Sequence, residues 1–194
     1  MSSKSSAALG AVVSLLRYPV KSMQAEELNA VWLTPHGLQG DRVWALIDRE
    51  TDKVVSAKNP RKWPQMFDFR AAYIEPTCPE RPLPPVRITL PDGHVVVSGK
   101  DDADETLSRC LGRQVTLRSA APQEPQLEEY WPDMEELDRR DTVTDESMPA
   151  GTFFDLAPVH LLSTATLGAL QQAYPQGRFE VRRFRPNLVI RLDD

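Results

Sequence analysis

Proline is the residue type that most limits how this chain can fold. The 194 residues include 17 prolines, and five of them fall in residues 76–85. Because proline fixes φ and donates no backbone hydrogen bond, it interrupts helices and central strands. The distribution predicts a protein of short strands and stiff loops, with no regular structure in residues 76–85.

Short apolar and β-branched runs between turn residues predict the strands. They cover residues 11–18, 28–33, 42–47, 53–57, 67–74, 86–90, 94–97, 115–117, 153–162 and 188–190. The clearest pair is the hairpin around Pro91, Asp92 and Gly93, a sequence suited to a tight turn. We expect the last strand to pack beside the first.

Two short helices complete a β-rich α+β fold. Residues 102–111 start with acidic residues and precede Gly112, and residues 164–174 follow Ser163, a favourable N-cap. Cys110 shares one face of the first helix with leucines, so we expect it to be a small core residue and not a reactive thiol.

Composition excludes several classes of protein. The net charge of -5 gives no case for a nucleic-acid partner. Two cysteines and three scattered histidines are too few for a disulfide framework or a structural zinc site. No apolar run approaches the ~20 residues of a membrane-spanning helix. The expected setting is the cytoplasm, with no membrane partner.

Changes in composition suggest the domain organisation. Residues 1–10 are predicted to be a flexible tail and residues 11–120 a first domain. Residues 121–150, rich in acid and proline, are expected to connect it to a last segment at 151–194.

Four points along the chain suit an anion. One follows a strand and one opens a strand. A third opens a helix, where N–H groups are free, and the fourth is a turn stiffened by proline. The residues are Lys21 and Ser22, Arg42, Ser163 and Thr164, and Arg185 and Asn187. Each alone has a plainer interpretation as a solvated cation or a helix cap. Together they would form a site for a phosphate-bearing cofactor, since no Ser-His-Asp order, carboxylate pair or P-loop is present.

Four motifs carry a resemblance to a known family. They are RYPVKS at residues 17–22, GDRVW at 40–44, HLLST at 160–164 and RFRPN at 183–187. In this order and spacing the chain resembles, over residues 12–190, the MOSC family with its N-terminal β-barrel domain. That family includes the amidoxime-reducing component and its bacterial relatives, and it is related to the C-terminal domain of molybdenum cofactor sulfurase.

The resemblance implies a β-barrel-like N-terminal domain followed by the first part of a MOSC β-barrel. It also implies a pyranopterin molybdenum cofactor. Lys21 and Ser22 would contact this cofactor and Arg42 would pair with its phosphate. Ser163 and Thr164 would donate from the helix start, and Arg185 and Asn187 would close the other side.

One feature departs from the family pattern. The cysteine that ligates molybdenum in the family is expected downstream of Asp194, and neither Cys78 nor Cys110 matches it by position. The resemblance therefore implies a fragment that ends within the MOSC domain. By itself the chain is expected to be inactive, without catalytic or metal-ligating residues and without bound cofactor.

Three functions follow as hypotheses. In the first, the parent protein reduces N-hydroxylated or N-oxide small molecules by oxygen-atom chemistry at molybdenum, with electrons from a ferredoxin or flavoprotein. In the second, it carries sulfurated cofactor, as a sulfurase-type module would. In the third, the N-terminal domain docks proteins or gates substrate and binds no cofactor. Convergence of the four anion-suited points would separate the first two from the third.

Overall fold

The computed structural model describes residues 9–192, which form a β-rich protein with three helices. The strands are β1 (Gly10–Arg17), β2 (Glu26–Leu28), β3 (Leu33–Thr34), β4 (Gly37–Leu38), β5 (Ala45–Asp48), β6 (Arg70–Tyr73), β7 (Val86–Thr89), β8 (Val95–Val97), β9 (Val115–Arg118), β10 (Gln126–Trp131), β11 (Thr142–Ser147), β12 (Leu161–Ser163) and β13 (Leu188–Leu192). The helices are α1 (Ala103–Leu111), α2 (Thr164–Ala173) and α3 (Val181–Phe184), and Met66–Asp68 forms a 3-10 turn. Residues 1–8 of the predicted tail lie outside the described residues, and Gly10 already belongs to β1.

Both predicted helices are confirmed. Gly112 follows the last residue of α1 and caps the helix. Its left-handed φ of 66° lets its N–H donate to the Arg109 carbonyl. Ser163 caps α2 by accepting a hydrogen bond from the Thr166 N–H. Cys110, a residue of α1, packs against the larger core, as expected. None of the helices described between residues 9 and 192 is long and apolar enough to cross a membrane.

Some predictions of secondary structure are wrong. The strand predicted for residues 28–33 is absent between β2 and β3. Its apolar side chains Trp32 and Leu33 are exposed, so an alternating strand would bury no apolar surface there. The strand predicted for 153–162 is reduced to β12, since Pro158 donates no ladder hydrogen bond. Helix α3, in the basic segment, was not predicted.

The described residues belong to two compact units. The first contains residues 9–16, 27–31 and 159–192. Its sheet has the order β12-β13-β1-β2, with β13 antiparallel to β1 and parallel to β12. The predicted pairing of the last strand with the first is therefore confirmed, with Leu188 opposite Leu15.

The second unit contains residues 17–26 and 32–158. The sheet β6-β7-β8 and helix α1 surround its larger core, which includes Met23, Phe69 and Leu107. The hairpin predicted around residues 91–93 is confirmed as β7 and β8. Strand β5 pairs with β9, and Ile47 faces the second, smaller core.

The acidic segment predicted as a connection contains an ordered hairpin, β10–β11. Leu127 and Met148 are buried with Phe153 in the smaller core. Across the strand edge, the Val54 N–H donates to the Gln126 carbonyl at 2.8 Å. The hairpin is thus part of the second unit's packing, while the domain boundaries predicted from composition stay a prediction.

Substitutions in this hairpin test its role in the core. Leu127→Ala should lower the free energy of unfolding by about 2–5 kcal/mol, because it leaves a cavity at a fully buried position. Val143→Ala on the exposed face of the same hairpin should change it by about 0.5 kcal/mol or less. Urea denaturation measures both. Equally small effects would mean that the segment is only loosely attached.

Candidate functional site

Two segments of the second unit run side by side and bring predicted site residues together. The Arg42 N–H donates to the Tyr18 carbonyl at 2.7 Å, and the Trp44 N–H donates to the Pro19 carbonyl at 3.0 Å. The Lys21 N–H then donates to the Trp44 carbonyl at 2.8 Å. This parallel pairing places Lys21 and Arg42, which are distant in sequence, in one region.

Lys21 is a buried cation. Only 2% of its side chain is exposed, and its Nζ donates to Asp155 Oδ1 at 2.9 Å and to the Phe153 carbonyl at 3.3 Å. Burial lowers the pKa of Lys21 to about 8, against the opposing attraction of Asp155. Repulsion from Arg42 and Lys58 contributes to this lowering of the Lys21 pKa. The ammonium is therefore held in a place where an anion is strongly favoured.

Arg42 is positioned by a strained turn and two side-chain contacts. Its φ is 48°, in the left-handed region that non-glycine residues rarely adopt. Its guanidinium lies 4.6 Å from the centre of the Tyr18 ring and pairs with the buried carboxylate of Asp41. Asp41 also accepts the Tyr18 N–H at 2.7 Å. This turn therefore fixes the guanidinium beside the segment that carries Lys21.

A glycine is required where this turn approaches Tyr73. Gly40 has a φ of 84°, and a Cβ there would lie 2.7 Å from the Tyr73 ring. The Tyr73 hydroxyl donates to the Gly40 carbonyl at 3.0 Å. The close packing explains why glycine precedes Asp41 and Arg42 in the motif.

The Ser22 side chain holds two backbone segments of the site together. Its φ is 65°, and its Oγ accepts the Ala57 N–H at 3.0 Å. This bond ties the segment after Val20 to residues 56–58. The predicted contact between Ser22 and the cofactor stays a prediction.

A cleft of about 390 Å³ lies beside Arg42 in the second unit. Residues 40–43 and 151–154 form parts of its wall. Phe153 contributes to this wall and also gives its carbonyl to Lys21. The cleft is thus lined by one predicted cation and lies next to the segment that holds the other.

The remaining predicted residues belong to the first unit. Ser163 Oγ accepts the Thr166 N–H at 2.9 Å, and Thr164 is the exposed first residue of α2. Arg185 ends α3 with a left-handed φ of 53°. Convergence of these residues with Lys21, Ser22 and Arg42 stays a prediction.

Asn187 forms its hydrogen bonds within the first unit. It is 1% exposed, its Oδ1 accepts the His160 N–H at 3.1 Å, and its Nδ2 donates to the Leu16 carbonyl at 3.2 Å. Its backbone N–H donates to His160 and its carbonyl accepts from Leu16. Asn187 therefore joins two backbone segments, a structural role that the sequence did not reveal.

Three arginines of the basic segment share one acidic partner. Glu180 pairs with Arg178 at 2.8 Å, Arg182 at 3.3 Å and Arg183 at 3.2 Å. The hydrogen bond from Arg178, with those from the other two arginines, lowers the pKa of Glu180 to about 2. These exposed arginines fit the plainer interpretation of this segment as a solvated basic turn.

Neither cysteine belongs to a group of three or more potential metal ligands among the residues that the structure describes. Burial, with a smaller contribution from Asp92, raises the pKa of the Cys110 thiol. Cys78 Sγ lies 2.9 Å from Glu80 on the surface. Within residues 9–192, no three His, Cys, Asp or Glu side chains group as a metal site would require.

Sequence reasoning missed Asp155 and Lys58. Asp155 pairs with Lys21 across 134 positions of sequence, and Lys58 Nζ lies 3.8 Å from the same carboxylate. A single acid after two phenylalanines carries no local signal for such a contact. The contact is seen only in the fold, where Asp155 reaches Lys21 in the segment that pairs with residues 42–44.

Comparison with known families agrees with the β-rich character of this fold. A family model described as the MOSC N-terminal beta barrel domain matches residues 9–114, more than half of the chain. The chain therefore belongs to the MOSC N-terminal beta barrel domain family. Lys21, Ser22 and Arg42 all fall inside the matched residues. Comparison with curated proteins finds no match.

The buried lysine predicts a pH dependence of stability. Below pH 8 both the folded and the unfolded protein hold the Lys21 proton, and the cost of burying the charge is fully present. Between about pH 8 and 10.5 the unfolded chain binds that proton more tightly, so the folded state gains stability as pH rises. The full gain is about 3 kcal/mol.

This gain is measured as a difference between variants. The free energy of unfolding of the wild type should rise relative to that of Lys21→Met across this window. The exposed-lysine control Lys100→Met should follow the wild type. A constant difference between wild type and Lys21→Met would contradict the depressed pKa.

Proposed function

We propose that Lys21 and Arg42 bind the phosphate of a pyranopterin molybdenum cofactor. The observation that carries this proposal is the burial of the Lys21 ammonium beside a second fixed cation, inside the residues that match the family model. Burying a charge is costly, and a neutral side chain of the same size would cost the fold less. Such a lysine is best explained by a ligand whose negative charge offsets that cost.

The residues present fit a phosphate. Lys21 pairs with Asp155, Arg42 pairs with Asp41, and Lys58 lies near both Asp155 and Glu129. Arg42 offers a planar guanidinium, a geometry that suits paired oxygens, and Lys21 offers a compact point charge. A ligand phosphate would therefore take the place of one of these carboxylates as the anionic partner of the cations.

The adjacent cleft has room for part of a ligand. Its volume of about 390 Å³ is in the range of small-molecule sites, and Phe154 gives it an apolar wall next to Arg42. In the proposal, Arg42 and Lys21 hold the charged end of the cofactor. The hydrogen bond from the Ala57 N–H to Ser22 Oγ keeps the lysine segment in place.

The reaction that we propose is the reduction of N-hydroxylated or N-oxide small molecules. When bound, molybdenum supplies two-electron oxygen-atom chemistry. The residues of this chain bind and orient the cofactor. Ser163, Thr164, Arg185 and Asn187 are proposed as further contacts. A ferredoxin or flavoprotein is the proposed electron donor, and the cytoplasm the proposed setting.

Cofactor retention by a lysine variant tests this function. The full-length protein is purified from a host that makes the cofactor, and bound molybdopterin and molybdenum are measured. Lys21→Met should weaken cofactor binding roughly 10- to 100-fold, as expected for losing a hydrogen bond to a charged group. Lys100→Met should retain the wild-type content.

The outcome separates a ligand-binding role from a structural one. Loss of cofactor with a fold retained by circular dichroism supports the proposal. Wild-type retention in Lys21→Met would refute it. An amidoxime reduction assay with an artificial electron donor then tests the chemistry, and retained cofactor without turnover would favour the sulfurase-type carrier.

A further inference from the structure

The carboxylate of Asp155 occupies the position that an anionic ligand of Lys21 would take. Its Oδ1 lies 2.9 Å from Lys21 Nζ and 3.8 Å from Lys58 Nζ. Burial would raise the pKa of Asp155, but Lys21, Lys58 and Arg42 outweigh it and hold this pKa below its usual value. The carboxylate is thus ionised and lies between two ammonium groups.

The two partners of this ion pair differ in their freedom to move. The Lys21 side chain is 2% exposed, whereas the Asp155 side chain is 46% exposed. Phe153 anchors the segment in the smaller core, and the residues after it form no strand until β12. Rotation of one surface side chain would remove the carboxylate, whereas the lysine has no comparable route to solvent.

A phosphate oxygen and a carboxylate oxygen would form the same kind of interaction at this position. Both are anionic acceptors that suit charge-assisted hydrogen bonds from ammonium groups. Binding a phosphate at Lys21 with Asp155 in place would set two anions against each other in a partly buried site. Only one of them can occupy the position favourably.

We propose that Asp155 holds the anion position of the site in the free protein, that the ligand's phosphate displaces it, and that Lys58 then becomes a further cation of the phosphate site. This inference rests on the proposed function. Lys58 Nζ also lies 3.2 Å from Glu129, so it has a second partner while Asp155 holds the position. Asp155 therefore sets the affinity threshold that a phosphate must overcome.

Titration with inorganic phosphate by isothermal calorimetry tests the exchange in the full chain. Asp155→Asn removes the competing charge, and its amide oxygen can still accept from Lys21. We expect this variant to bind phosphate about tenfold more tightly than the wild type, as loss of one partly exposed competing anion implies. Lys58→Met added to Asp155→Asn should reverse part of that gain.

Asp145→Asn is the matched control. Asp145 also pairs with a lysine, Lys53 at 2.6 Å, and its side chain is 54% exposed. The Asp145→Asn substitution removes the same charge from the same unit, so the phosphate affinity of this variant should stay at the wild-type value. A gain equal to that of Asp155→Asn would show a general charge effect and overturn the inference.

The remaining outcomes separate this inference from the proposed function. If Asp155→Asn binds phosphate no better than the wild type, and Lys21→Met still abolishes binding, Asp155 does not compete and only the inference falls. If neither the wild type nor Asp155→Asn binds phosphate, the anion site itself is refuted. Should Asp155→Asn fold poorly, Asp155→Ser provides the same comparison.

Discussion

A buried ammonium group is the constraint on which this site depends. Lys21 loses the solvation of its charge, and the pair with Asp155 only partly restores it, because desolvation still lowers the lysine pKa to about 8. Buried ion pairs of this kind are poor sources of stability. The segment from Tyr18 to Ser22 must therefore be held by other interactions. Hydrogen bonds to the backbones of Arg42 and Trp44, and from the Ala57 N–H to Ser22 Oγ, provide them.

Those backbone bonds also explain the geometry of the cations. The left-handed turn at Arg42 is possible because Gly40 allows the chain to approach Tyr73 closely. Asp41 then fixes the guanidinium, while Asp155 at the surface balances Lys21. One carboxylate is buried, and the other is half-exposed and, in our proposal, is displaced by the ligand. A site of this construction suits reversible binding of an anion more than permanent structural pairing.

Local patterns predicted much of the fold and part of the site. The turn at residues 91–93, the cap at Ser163 and the motifs around Lys21 and Arg42 depend on neighbouring residues, which the sequence displays. The hairpin β10–β11 and the Lys21–Asp155 pair depend on partners far along the chain. Acidic residues such as those at 128 and 145 suggested a connection between domains, yet in the fold they pair with lysines at 62 and 53. No local pattern encodes such partners.

The most direct measurement is a crystal structure of the protein isolated with its cofactor from a host that synthesises it. We expect the cofactor phosphate within hydrogen-bond distance of Lys21 Nζ, the Arg42 guanidinium beside it and the Asp155 carboxylate turned to solvent. A cofactor phosphate bound elsewhere, with Asp155 still paired to Lys21, would contradict it.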